Sequence, residues 1–157
     1  MPPRSRASRS ARPSRAQRPA RAAARPAPSR PADSGPCPCG LSAPYGECCG
    51  ALHAGRAAAP TAERLMRSRY SAFVVQDAAY LLRSWSRSTR PAGLRFDPDI
   101  RWTGLEIHGS TGGSAFHTEG TVDFTARFTA GGRAGEQREN SSFAREDGLW
   151  VYVGEAG

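Results

Sequence analysis

Residues 116–128 read FHTEGTVDFTARF. Phe116, Thr118, Gly120, Val122, Phe124, Ala126 and Phe128 fall on one phase, and His117, Glu119, Thr121, Asp123, Thr125 and Arg127 on the other. Successive side chains of a strand point to opposite faces, so this pattern predicts a long strand with one face buried. Upstream, Ile100 and Trp102 share one phase while Leu105 and Ile107 share the other, and the change at Thr103 and Gly104 is what a bulge would cause. Gly109–Gly113 reads as the turn between these strands and Ala130–Gly135 as the next. A more polar strand over 136–145 ends near Phe143, Asp147-Gly148 signals a tight hairpin, and Leu149–Val153 closes an antiparallel meander.

Before the meander the period changes to that of a helix. Met66, Tyr70, Phe73 and Val74 recur at i, i+4, i+7 and i+8, with Thr61 placed as N-cap and Glu63 in the first turn, where the helix dipole favours an acid. Asp77 is placed to cap a second helix carrying Ala78, Leu81, Leu82 and Trp85. Pro91, Gly93 and Pro98 then break the pattern into a loop. Two helices followed by a meander predict an α+β fold with the helices on one face of a curved sheet.

The first 35 residues differ in kind. They contain no Val, Leu, Ile, Phe, Tyr or Trp, and they hold nine arginines against the single acid Asp33. Such a segment buries too little apolar surface to offset the entropy of ordering it, so 1–35 reads as a disordered tail. Its arginines at every third position from Arg6 to Arg21 would line one edge of a polyproline II helix, suiting weak contact with nucleic acid or another polyanion. The rest of the chain balances thirteen arginines with thirteen acids. No apolar run reaches the roughly 20 residues a membrane-spanning helix needs, and the tail lacks the core of a secretory signal, so a cytoplasmic protein with no membrane partner is expected.

Residues 37–50 read CPCGLSAPYGECCG. In a reducing compartment, clustered thiols point to metal before disulfide. Cys37, Cys39, Cys48 and Cys49 lie within thirteen residues, separated by turn-forming Gly40, Pro44 and Gly46, and four thiolates suit tetrahedral Zn2+ with sulfur about 2.3 Å away. A site filled by four protein sulfurs is structural, since catalytic zinc keeps a place for water. His53 stands near enough to replace one sulfur, but it reads more simply as a solvated loop histidine.

The C-x-C-x8-C-C spacing followed by glycine resembles the SEC-C zinc motif at the end of the SecA motor, where the last ligand is often histidine. The stretches LMRSRYSAF (65–73), Tyr80-Leu81, Trp85, STRP (88–91), WTGL (102–105), FTARF (124–128), ENSSF (139–143) and WVY (150–152) are similar to the YchJ-like family of uncharacterised bacterial proteins. The resemblance covers 36 to about 154. It implies a SEC-C-like zinc knuckle over 36–56 and a cone-shaped domain of the nuclear transport factor 2-like fold over 61–157, with no known activity. Two departures stand out: Leu41-Ser42 replaces a usual Ser-Gly pair, and Ser86 replaces a histidine often found after the tryptophan.

The function expected is a non-enzymatic, zinc-binding interaction module with a protein partner. The alternatives are a small-molecule binder or acid-base enzyme using the cone pocket, and weak nucleic-acid binding through the tail. Acid-base chemistry would draw on His108, His117, Asp123 or Glu139. His117 and Asp123 lie on the polar phase of the long strand and are expected outside the core, which leaves Glu139, beside Tyr70 and Trp85, as a weak catalytic candidate. Arg67, Arg69 and Tyr70 form the densest polar group of the first helix. The arginines read as a solvated face or an anion site, and Tyr70 as core.

Overall fold

The computed structural model describes residues 30–156. The arginine repeat of the tail lies outside the described residues. The end of that tail is corrected: Gly46 N–H donates to Asp33 O and Tyr45 N–H to Gly35 O, while Arg30 reaches the Tyr45 hydroxyl and the Asp77 carboxylate, so 30–35 pack on the knuckle.

The knuckle contains a 3-10 turn at Tyr45–Glu47 and the short helix α1, Cys49–His53. Helix α2 spans Ala62–Val75 and α3 spans Ala78–Arg83. Both N-caps are those expected. Thr61 Oγ1 accepts from Arg64 N–H at 3.1 Å and Asp77 Oδ1 from Tyr80 N–H at 3.0 Å, which satisfies donors that a helix start leaves open. Gln76 ends α2 in the left-handed conformation and turns the chain directly into α3.

Strands β1 (Ile100–Gly112), β2 (Glu119–Ala130), β3 (Arg133–Glu146) and β4 (Leu149–Glu155) pair in sequence order, all antiparallel. The register of β1 on β2 slips between Trp102 and Gly104, as the phase change predicts, and again between Ile107 and Gly109. Gly109 therefore marks a second bulge, and the turn comes later, at 113–118. Phe116, His117 and Thr118 lie in that turn and not on the strand, and Phe116 is 96% exposed. The next connection is the pair Gly131-Gly132, both with positive φ, tighter than the Ala130–Gly135 turn expected. Asp147-Gly148 forms the last hairpin, also with positive φ at both residues.

Ala62, Leu65, Met66 and Tyr70 of α2 pack on Val122, Phe124, Ala126, Phe143 and Trp150 of the sheet. The opposite face of α2 is buried too. Ser68, Ser71 and Ala72 are fully enclosed, because α3 and the knuckle cover them. α3 stops at Arg83, short of the expected Trp85; there the chain straightens and bridges β4, with Tyr152 N–H on Ser84 O and Ser86 N–H on Tyr152 O.

Candidate metal centre and cone cavity

The four cysteines converge because the chain folds back twice within thirteen residues. Gly40, at φ +89°, makes the first reversal after Cys39, and Pro44 bridges back to Pro36. Gly50 allows α1 to sit against the 3-10 turn, since a Cβ there would lie 2.6 Å from Tyr45 O. The sulfurs of Cys37, Cys39, Cys48 and Cys49 all lie within 4.8 Å of one another and all four residues are buried and free of disulfides. Cys39 Sγ and Cys48 Sγ stand 3.7 Å apart. A tetrahedron with metal–sulfur bonds of about 2.3 Å has edges of about 3.8 Å, so this donor set can hold a metal ion.

The electrostatics point the same way. The thiols of Cys39 and Cys49, with backbone N–H groups of the same residues, hold the Cys37 thiol well below the usual range. Its neighbours are pushed up, Cys39 to about 11 mainly by Cys37, and Cys49 by Cys37 and Cys39. Crowded thiols resist becoming thiolates together. A cation at their centre removes that conflict.

The knuckle is seated on α2 by directed bonds. Arg67 donates to Cys39 O at 2.9 Å and to Glu63 at 3.0 Å, and Ser71 Oγ lies 3.9 Å from Cys37 Sγ. Arg83 of α3 donates to Leu52 O and His53 O. His53 is not the solvated residue expected. It is 6% exposed, with Nε2 on Ser68 O and Nδ1 on the Tyr45 hydroxyl, and it is no sulfur substitute because both nitrogens are engaged.

A second feature lies inside the cone. Between α2 and the sheet is a cavity of about 250 Å³ whose wall includes Arg69, Tyr70, Trp85, Trp102, Glu139 and Tyr152. Glu139, singled out from sequence, does face this space, and its Oε2 accepts from the hydroxyls of Ser141 and Tyr152. Burial pushes the Tyr70 and Tyr152 phenols up to about 12, so both remain neutral donors. Arg69 corrects the expectation of a solvated arginine pair: it is 4% exposed, and sequence gave no sign of this beyond its place one turn from Phe73. Arg67 is likewise taken up by the knuckle. Tyr70 is core, as read.

The remaining candidates stay outside. Asp123 makes a two-point contact with Arg138, His117 bonds Ser114 in the exposed turn, and His108 meets Thr125 Oγ1 at 2.7 Å. Ser86 is held by Glu146 at the β3–β4 turn. A larger, open groove of about 510 Å³ runs along 55–59, α3 and that turn, but its Arg56, Arg83, Arg87 and Arg90 all bond to carbonyls or carboxylates of the chain itself. Among the described residues no helix is long and apolar enough to cross a membrane.

Residues 61–155 match the family model described as YchJ, middle NTF2-like domain. The chain is 61% identical over 118 residues to UPF0225 protein SCO1677 of Streptomyces coelicolor, covering 75% of this chain and 92% of that one. It is 48% identical to a UPF0225 protein of Corynebacterium glutamicum, covering 74% and 92%. Among solved structures, it superposes on the SEC-C motif-containing protein RPA3114 of Rhodopseudomonas palustris with a TM-score of 0.66 at 33% identity, over 77% of this chain and 98% of that one. A SEC-C motif-containing protein from Psychrobacter arcticus gives 0.62 at 25% identity, over 77% and 81%.

Proposed function

The chain belongs to the YchJ-like family of UPF0225 proteins, and from that premise we propose that it is a cytoplasmic, non-enzymatic interaction module whose knuckle carries one structural zinc ion. The observation that carries this reading is the closed set of four buried sulfurs seated on α2. Sulfur-only tetrahedral sites suit zinc or iron, and redox-inert zinc suits a site whose neighbours are structural contacts. When bound, zinc supplies a cross-link between the two arms of the knuckle. The protein residues do the rest: Arg67, Ser71 and His53 fix the knuckle on α2, so the metal site and the cone form one surface for a protein partner. The SEC-C motif named for both structural neighbours supports the same ligand assignment.

Cross-linking mass spectrometry in the host, with wild type against Cys48→Ser, tests the role. A defined protein partner that depends on the intact knuckle is expected. Identical cross-links for both chains, or none with any protein, would remove the interaction reading.

A second reading, that the cone receives a small molecule, is favoured by one observation: the space beside Glu139, Tyr70 and Trp85 is open, not filled by the surrounding rings.

A further inference from the structure

The cone cavity contains a buried cation that forms no ion pair among the described residues. Arg69 is 4% exposed. One of its Nη atoms donates to Leu81 O at 2.8 Å and Ser84 Oγ at 2.7 Å. Its guanidinium carbon lies 5.0 Å from the centre of the Trp85 ring and 4.6 Å from that of Tyr152. Among the described residues no carboxylate is within 4.0 Å ion-pairing distance of Arg69; Glu139, which shares the cavity wall, spends Oε2 on Ser141 and Tyr152. Burial lowers the Arg69 pKa to about 10, which leaves it charged at neutral pH.

Taking a cation out of water costs several kcal/mol, and a carbonyl, a hydroxyl and two ring faces offset part of that. An anion in the cavity would offset more. Trp85, on the same wall, adds a second unused donor, since its indole Nε1 is buried and bonds to no acceptor among the described residues. Met66, Phe73, Trp102, Phe124 and Ala126 supply an apolar part of the wall, and Gln137 and Ser141 add polar groups beside Glu139. Size limits the occupant. A volume of about 250 Å³ exceeds the roughly 150 Å³ that accommodates benzene and falls short of the roughly 300 Å³ at which drug-sized sites begin. One ring with a short substituent fits.

We propose that the cone cavity binds a small monocyclic carboxylate, with its carboxylate toward Arg69 and the Trp85 indole N–H and its ring against Trp102 and Phe124. This rests on the reading of the cone as a small-molecule site and names the chemical class that site takes. A cationic ligand is disfavoured because the place between the Trp85 and Tyr152 rings is already filled by Arg69. A neutral ring leaves the arginine without an ion-pair partner.

The test is a titration of the intact, metal-loaded chain with benzoate, phenylacetate, benzamide and benzylamine, followed by calorimetry and by the indole N–H signals of Trp85 and Trp102. The carboxylates are expected to bind at least about tenfold tighter than the amide or the amine, the difference a charge-assisted hydrogen bond supplies. Arg69→Gln should erase that preference. Because this buried substitution can unfold the chain, Glu139→Gln is the second variant: it removes a negative charge from the wall and should tighten benzoate severalfold while leaving benzamide unchanged. Benzamide binding as well as benzoate, or benzylamine binding best, overturns the carboxylate assignment and leaves the cavity reading in place. No binding by any of the four up to about 10 mM overturns both.

Discussion

His53 Nε2 donates to the backbone carbonyl of Ser68, in the middle of α2, across 2.8 Å. A carbonyl only accepts, so the proton must sit on Nε2, and Nδ1 is left to accept from the Tyr45 hydroxyl at 2.7 Å. One imidazole thereby ties the knuckle to the helix that forms the cone wall. Its ring also packs edge-on against Tyr80, with centroids 4.7 Å apart.

Removing that ring should loosen both parts at once. His53→Ala is expected to lower the stability of the metal-loaded protein by about 2–4 kcal/mol, since it leaves a cavity and strands two buried polar groups. Tyr45→Phe strands Nδ1, releases one Arg30 donor, keeps the ring, and should cost about 1–2 kcal/mol. Urea denaturation of the two variants checks this, and a loss under about 0.5 kcal/mol for His53→Ala would show that the tie is not structural.

The same residue sets a pH dependence. An imidazole in the unfolded chain titrates near 6.5, and burial places the folded His53 below that. Above about pH 6.5 both states are neutral and the contribution is complete. As pH falls from there toward the depressed folded value, the unfolded chain takes up the proton first and stability is lost. Wild type should therefore lose more stability between pH 7.5 and 5.5 than His53→Gln does, which separates this effect from protonation of the thiols. Parallel losses would contradict it.

How far such features could be read from the chain follows from how local they are. The alternation over Gly120–Phe128, the bulge at Gly104 and the caps at Thr61 and Asp77 depend on near neighbours, and all were legible. The cysteine cluster was legible for the same reason. Gly109 misled because a glycine in a strand serves a bulge as readily as a turn, and the alternation at Phe116 continued by chance into the loop. Arg69 and His53 were out of reach, because their burial comes from Trp85, Tyr152 and Ser68, brought close only when the knuckle, α2 and β4 assemble. One signal was available: Ser68 and Ser71, small and polar on the face of α2 away from the sheet, mark where another element packs closely.

Arg67 reaches the candidate ligand residue Cys39 without touching its sulfur. It donates to Cys39 O at 2.9 Å and is braced by Glu63 at 3.0 Å. Outer partners of metal ligands typically contribute 10- to 100-fold in affinity, so Arg67→Ala should weaken metal binding by about tenfold, read by competition with a chromophoric chelator. Unchanged affinity would mean that the knuckle holds its shape without α2.

The exposed turn and outer sheet face should respond differently from the cavity wall. His117→Ala and Asp123→Ala touch only exposed contacts and should melt within about 2 °C of wild type. Tyr152→Phe removes a hydroxyl that Glu139 accepts from inside the cone. It should lower the melting temperature by several degrees while leaving metal content unchanged. A melt indistinguishable from wild type for Tyr152→Phe would contradict the described cavity wall.

The central claim is tested most directly by elemental analysis of protein purified without chelator. Four buried sulfurs within 4.8 Å of one another call for about one zinc per chain, retained through gel filtration and lost together with knuckle order in Cys48→Ser. Less than about half an equivalent of zinc, with a Cys48–Cys49 disulfide found by mass spectrometry of the same sample, would contradict the account.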